Sequence, residues 1–188
     1  MTNRFVHRRL YRRFECGSGS SRRRLIRRHN SRLEVDVVIP DINGRISRIP
    51  PSYVNDALKR LGPSVFDNVV HADCKLKVGQ REYWGHELSL SWKSLYFRAV
   101  FTAIHSGKAH PDVTMPQISD ETRMPIVTVP IESPEETNFD EMLYWIYCGN
   151  DDRWLSTFTE ANISAVTRNV RFLGISTEAV RVLHRFSS

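Results

Sequence analysis

Cysteine is scarce in this 188-residue chain: Cys16, Cys74 and Cys148 are far apart, odd in number and never in a Cys-x-x-Cys pair. That usage argues against a disulfide framework and against a zinc site, and it fits a reducing compartment. No apolar run approaches the roughly eighteen residues that a membrane helix requires. The N-terminus lacks the uninterrupted apolar segment of a secretory signal. A soluble cytoplasmic or nuclear protein without membrane contact is therefore expected. Phosphate-binding Gly-x-x-x-x-Gly-Lys-Ser/Thr loops, dinucleotide fingerprints and Gly-x-Ser-x-Gly elbows are also missing, so no cofactor, metal or small-molecule substrate is expected. There are no internal repeats. What is present is 40% apolar, enough for a core in one domain plus an extension.

Acidic residues are nearly absent from one end. Residues 1–33 hold eleven Arg and a single acid, Glu15, for a net +10, while residues 34–188 carry a net −4. The overall +6 thus describes neither part. Two arginine blocks, the second containing Arg22, Arg23, Arg24, Arg27 and Arg28, flank "GSGSS". Glycine and serine lose much entropy on ordering and the arginines repel, so a disordered arm is expected over 1–33. Three readings stay open for it. They are a solvated tail, a nuclear-import or nucleic-acid-attracting patch, and a transit peptide, whose clean helical face the arm lacks.

Beyond the arm, "VDVVI" (35–39) suggests a short strand before the turn signal "DING". "PPSYVNDALKRLG" reads as a helix, opened by Pro51, with Val54, Leu58 and Leu61 on one face and Gly62-Pro63 as its stop. In "CKLKV" Cys74, Leu76 and Val78 alternate with lysines, and Gly79-Gln80 turns the chain into a second strand, "REYWG". A helical turn at "HELSL" follows. Ser94 then caps a helix with Phe97, Val100, Phe101 and Ile104 at i, i+3, i+4 and i+7. His105 to Pro125 is polar, and "IVTVPI" alternates as a third strand. Ser133, Pro134 and Glu136 form a capping box before a helix that buries Phe139, Met142, Leu143 and Ile146. Two further helices carry Ile163, Val166, Val170 and Leu173, then Ala179, Val182, Leu183 and Phe186.

This order of motifs resembles the BTB/POZ domain. The family's opening hairpin reads aspartate, strand, Gly, strand, His-x-x-x-Leu; here Asp73, "CKLKV", Gly79, "REYWG", His86 and Leu90 stand in those places. Its Ser-x-x-Phe-x-x-(Met/Leu)-Phe helix is matched by Ser94, Phe97, Val100 and Phe101. Its Tyr-x-Tyr-Thr-Gly helix end is matched by Trp145, Tyr147, Cys148 and Gly149, and its Leu-Gly-Ile joint by Leu173, Gly174 and Ile175. The resemblance runs from about Phe66 to Phe186, and "WIYCGNDDRWLSTFTEANISAV" is most similar to stand-alone fungal members. It implies an α+β fold, a cluster of helices around a small three-stranded sheet. The chain divides accordingly into an arm (1–33), an extension with a strand and a dimerisation helix (34–65) and the BTB/POZ domain (66–188). Members commonly carry Lys or Arg after the histidine, whereas this chain has Glu87, so two acids, Asp73 and Glu87, meet at that corner.

The chemistry-bearing residues favour packing over catalysis. His86 beside Glu87 resembles half a relay, but no nucleophile with a third orienting group accompanies it, and a strand-to-helix corner suits an imidazole bonded to backbone. Ser89, Ser91 and Ser94 sit where serine competes for backbone hydrogen bonds. His105 and His110 with Asp112 make a poor metal set.

The function expected is a non-catalytic interaction module that self-associates and recruits partner proteins. The resemblance implies a homodimer through the N-terminal helix, here Val54, Leu58 and Leu61, with folding of this stripe back onto its own domain as the other outcome. One alternative is a substrate adaptor for a cullin ubiquitin ligase. It is disfavoured because "FTAIHSGK" lacks the apolar-x-Glu motif and the chain ends without a substrate-reading domain. The other is a nucleic-acid-associated regulator using the basic arm.

Overall fold

The computed structural model of the chain describes residues 37–40, 46–111 and 113–188. The expected arm, with Arg22, Arg23, Arg24, Arg27 and Arg28, lies outside the described residues, as do the "DING" turn and Asp112. The chain separates into two compact units, residues 1–54 and 55–188.

In the first unit, β1 (Val37–Pro40) pairs antiparallel with β2 (Ile46–Ile49), Val37 opposite Ile49 and Pro40 opposite Ile46. Of the strand expected at 35–39, residues 37–39 lie in β1 and residues 35 and 36 fall outside the described residues; its partner β2 was not announced by the sequence pattern. Helix α1 (Pro51–Val65) follows and spans the boundary between the units. It does not stop at Gly62-Pro63. Pro63 lies inside it, and the chain turns only after Val65, where the Phe66 N–H donates to the Gly62 carbonyl at 2.9 Å. The reason is tertiary: a Cβ on Gly62 would stand 2.5 Å from the Tyr147 carbonyl oxygen, so glycine is there for close approach rather than termination.

The second unit is built on a four-stranded sheet of order β4-β3-β6-β5. Strands β3 (Cys74–Val78) and β4 (Arg81–Gly85) form the expected hairpin, with Val78 opposite Arg81 across Gly79-Gln80. Gly79 has a φ of +59°, a conformation that glycine enters without a Cβ penalty. Strand β6 (Pro125–Thr128) lies parallel to β3, and a parallel neighbour requires a long crossover. That crossover contains α2 (Glu87–Lys93) and α3 (Leu95–Ser106). The polar stretch after α3 also holds a fourth strand, β5 (Gln117–Ile118), antiparallel to β6. Two residues are too short to show a period, so the three-stranded expectation falls one edge strand short.

Helices α4 (Phe139–Cys148), α5 (Asp151–Leu155), α6 (Ile163–Leu173) and α7 (Thr177–Phe186) complete the unit. The capping box expected at Ser133 does not form. Ser133 and Asn138 both have left-handed φ, +39° and +48°, and α4 begins only at Phe139. A longer-range tie takes precedence. The buried Asn169 side chain accepts the Glu132 N–H at 3.1 Å and donates to the Glu132 carbonyl at 3.0 Å, fixing the chain before Ser133 can cap anything.

The core lies between the inner sheet face and these helices. Cys74, Leu76 and Val78 bury one side of β3, as their alternation requires. Phe97, Val100, Phe101, Met142, Leu143, Ile146 and Leu173 are all buried in the same cluster. Trp145 and Trp154 pack with ring centroids 4.9 Å apart. Among the described residues no helix is long and apolar enough to cross a membrane.

Candidate functional site

The motif residues converge at two joints. At the first, β4 ends on Gly85 and turns into α2 through His86. Asp73 closes the hairpin base twice. Its N–H donates to the Gly85 carbonyl at 2.8 Å, and its carboxylate accepts the Glu87 N–H at 2.8 Å. The acid after the histidine therefore presents its backbone, not its charge, to Asp73. The Glu87 carboxylate turns away and meets His105 Nε2 at 2.8 Å. Burial first, then the charges of Asp73 and Glu87, push the neighbouring Cys74 thiol up to about 12, so Cys74 acts here as a small apolar side chain.

His86 is buried, and its polar atoms point inward. Its N–H donates to the Tyr147 hydroxyl oxygen at 2.9 Å, and its Nδ1 lies 3.2 Å from the same oxygen. Nε2 lies 3.4 Å from the Val70 carbonyl, which can only accept. A proton on Nε2 would donate to that carbonyl and leave Nδ1 to accept from the Tyr147 hydroxyl. Burial raises the Tyr147 phenol well above its ordinary pKa, which keeps that proton in place. Both ring nitrogens thus hold the corner, and the imidazole is arranged to fix backbone.

The second joint links α3 to α6. The Ser94 hydroxyl accepts the Phe97 N–H at 3.3 Å and donates to the Leu173 carbonyl at 2.7 Å. The Leu95 N–H donates to the Gly174 carbonyl and the Ser176 N–H to the Lys93 carbonyl. Gly174, at φ +56°, lets Leu95 approach within 2.9 Å of where a Cβ would stand. Leu90, Phe97 and Phe101 pack in the core between the joints.

Helix α1 is seated on the end of α4. Gly62 backs onto the Tyr147 carbonyl, and the Lys59 stem lies across Gly149, which ends α4 at φ +62°. Phe66 packs edge-on against Tyr144 and Tyr147 at 5.2 and 5.6 Å. This seating alters the expected stripe. Leu58 is 9% exposed and Leu61 is 55% exposed, while Val54, which belongs to the first unit, is half-buried. The inward face is set by Leu58 and Gly62, one helical turn apart.

Sequence reasoning missed an ionic tie beneath this helix. The Lys93 ammonium, 4% exposed as a residue, pairs with Glu178 of α7, which also accepts from Asn55 Nδ2 at 3.1 Å. Burial lowers the Lys93 pKa. It would raise that of Glu178, but the hydrogen bond and charge of Lys93, with Lys59 and Asn55, outweigh it and hold the carboxyl low. The signal in the sequence was slight: Lys93 follows the buried Leu90 by three residues, on the same helix face.

Outside these joints the surface offers shallow relief. A cleft of about 200 Å³ is lined by Asp67, Lys75, Glu82, Tyr83 and Trp84, and a second of about 170 Å³ lies near Arg81 and Asp140. Among the described residues no His/Cys/Asp/Glu group could hold a metal ion.

A protein-family model for the BTB/POZ domain matches residues 64–177. The chain belongs to the BTB/POZ domain family. The match covers both joints, from the hairpin base at Asp73 to Gly174. BTB/POZ domains are protein–protein interaction modules, which accords with motif residues spent on backbone geometry. No curated protein matches this BTB/POZ chain in sequence.

Proposed function

We propose that this BTB/POZ domain self-associates into a homodimer and recruits partner proteins, without catalysis. The observation that carries the reading is Leu61, more than half exposed on a helix whose other side is fixed to α4. A large apolar side chain on a rigid element is the kind of anchor on which contact surfaces are built, and a twofold dimer is the commonest closed assembly. Of the three residues first expected at the interface, Leu61 is the most exposed, Leu58 lies on the inward face of the helix and Val54 is half-buried. The body's net charge of −4 opposes association only weakly at physiological salt.

Sedimentation of the full chain at micromolar concentration tests the reading. A dimer is expected, and Leu61→Asp should shift it toward monomer while leaving the thermal transition in place. A wild-type chain that stays monomeric at tens of micromolar defeats it.

The +10 charge of residues 1–33 supports a second reading, a nucleic-acid-associated regulator in which the arm supplies affinity and the domain supplies assembly. Salt-sensitive DNA binding that disappears when residues 1–33 are removed is its expected signature. The cullin-adaptor alternative gains no comparable support, because the α3 C-terminus carries no acid after Phe101. Capture of a cullin by the full chain from cell extract would revive it.

A further inference from the structure

The run Ser133-Pro134-Glu135-Glu136 has the residue types of a capping box, yet it caps nothing, and α4 begins only at Phe139. The fold leaves the Ser133 hydroxyl without a structural task. Its carbonyl accepts the Thr137 N–H and the Thr137 hydroxyl, both at 3.0 Å, whereas its hydroxyl has no hydrogen-bond partner among the described residues. Ser133 is exposed and holds a left-handed φ of +39°. Non-glycine residues keep such a backbone where the surroundings over-determine it, and they gather at functional sites.

The neighbour on its C-terminal side is distinctive. Of the nine prolines in the chain, only Pro134 follows a serine or threonine. Proline has no backbone N–H, so an enzyme whose pocket for the next residue demands that missing donor would single out Ser133. Residues 131–138 lie in no helix or strand. Segments of this kind open locally at less than the cost of global unfolding.

A counter-charge is fixed beside the hydroxyl. Asn169 holds both backbone groups of Glu132 to α6, and the Glu132 carboxylate pairs with Arg168 at 2.7 Å in an exposed contact. Residue 133 is one Cα step away, about 3.8 Å. The Asn169 clamp keeps the chain at α6 whichever anion Arg168 meets.

We propose that Ser133 is the phosphoacceptor of a proline-directed protein kinase, and that its phosphate takes Arg168 from Glu132. In the transfer the Ser133 oxygen attacks the γ-phosphorus of ATP. The bond from that phosphorus to the bridging oxygen of the leaving diphosphate breaks, and the hydroxyl proton passes to the base of the kinase. The phosphate brings about −1.5 to −2 charges to a stretch that already holds Glu132, Glu135 and Glu136. Among acids alone it would disrupt by repulsion. Arg168 converts that repulsion into a charge-assisted pair.

Incubation of the full chain with a purified proline-directed kinase and Mg·ATP, read by intact mass and fragment mapping, tests the site. One phosphate on Ser133 is expected. Ser133→Ala should abolish it while keeping the thermal transition of wild type, and Pro134→Ala should abolish it with the hydroxyl still present. Phosphorus NMR of the modified chain against pH then reads the pairing. The midpoint of the phosphate titration should lie about half a pH unit higher in Arg168→Gln than in wild type, because the guanidinium favours the dianion. Absence of transfer to the folded chain overturns the proposal, even where a free peptide of residues 128–140 is modified, and so does phosphate on another residue. Identical titrations with and without Arg168 overturn the pairing.

Discussion

The Ser94 hydroxyl joins two helices distant in sequence, donating to the Leu173 carbonyl at 2.7 Å while it caps α3 by accepting the Phe97 N–H. The residue is 1% exposed, so water cannot replace either bond. Ser94→Ala should therefore cost about 1–3 kcal/mol, the penalty for stranding buried polar groups. Urea unfolding monitored by circular dichroism measures it, and an unchanged midpoint would count against the joint.

Phe101 is 3% exposed among the packed side chains of α3, α4 and α6. Phe101→Ala should lower unfolding free energy by about 3–5 kcal/mol through lost burial and the cavity left behind. The same urea titration should show the lower midpoint without a change in slope.

Gly62→Ala should act at a distance. The added methyl would stand 2.5 Å from the Tyr147 carbonyl oxygen, which is backbone and cannot rotate away. Overpacking should cost about 1–3 kcal/mol. It should also lift α1 from α4, so dimerisation should weaken although Leu61 is untouched. Sedimentation and thermal denaturation of one variant report both effects.

The Lys93–Glu178 pair gives stability a defined pH dependence. A carboxyl whose folded-state pKa lies below its ordinary 4.5 contributes stability that is full above that value and lost as pH falls through the folded one. Unfolding free energy followed from pH 6 into the acid range should fall more steeply for wild type than for Glu178→Gln. Glu178→Ala, which leaves the ammonium buried alone, should cost about 3–5 kcal/mol near neutral pH. Burial lowers the Lys93 pKa, and that adds a gain with pH on the alkaline side, outside the acid window.

The sequence by itself determined the β3–β4 hairpin, the helix registers and the core. Alternation in "CKLKV", a glycine at the turn, and apolar residues at helical spacing are local patterns, and local sterics with burial suffice to place them. The Ser94 cap was legible for the same reason, since its acceptor role spans three residues. Tertiary contacts decided the rest. Pro63 sits inside α1 because Gly62 backs onto Tyr147, eighty-five positions away, and Ser133 fails to cap because Asn169 clamps Glu132 first. Leu58 looked like an interface residue on a lone helix, and burial of that helix face left Leu61 outside. The pairing of Asp73 with the Glu87 backbone, and of Glu178 with Lys93 and Asn55, joins groups whose sequence separations bear no period. Hydrogen bonds and ion pairs act over a few ångströms of space, so only the folded chain decides which polar groups come within reach of one another.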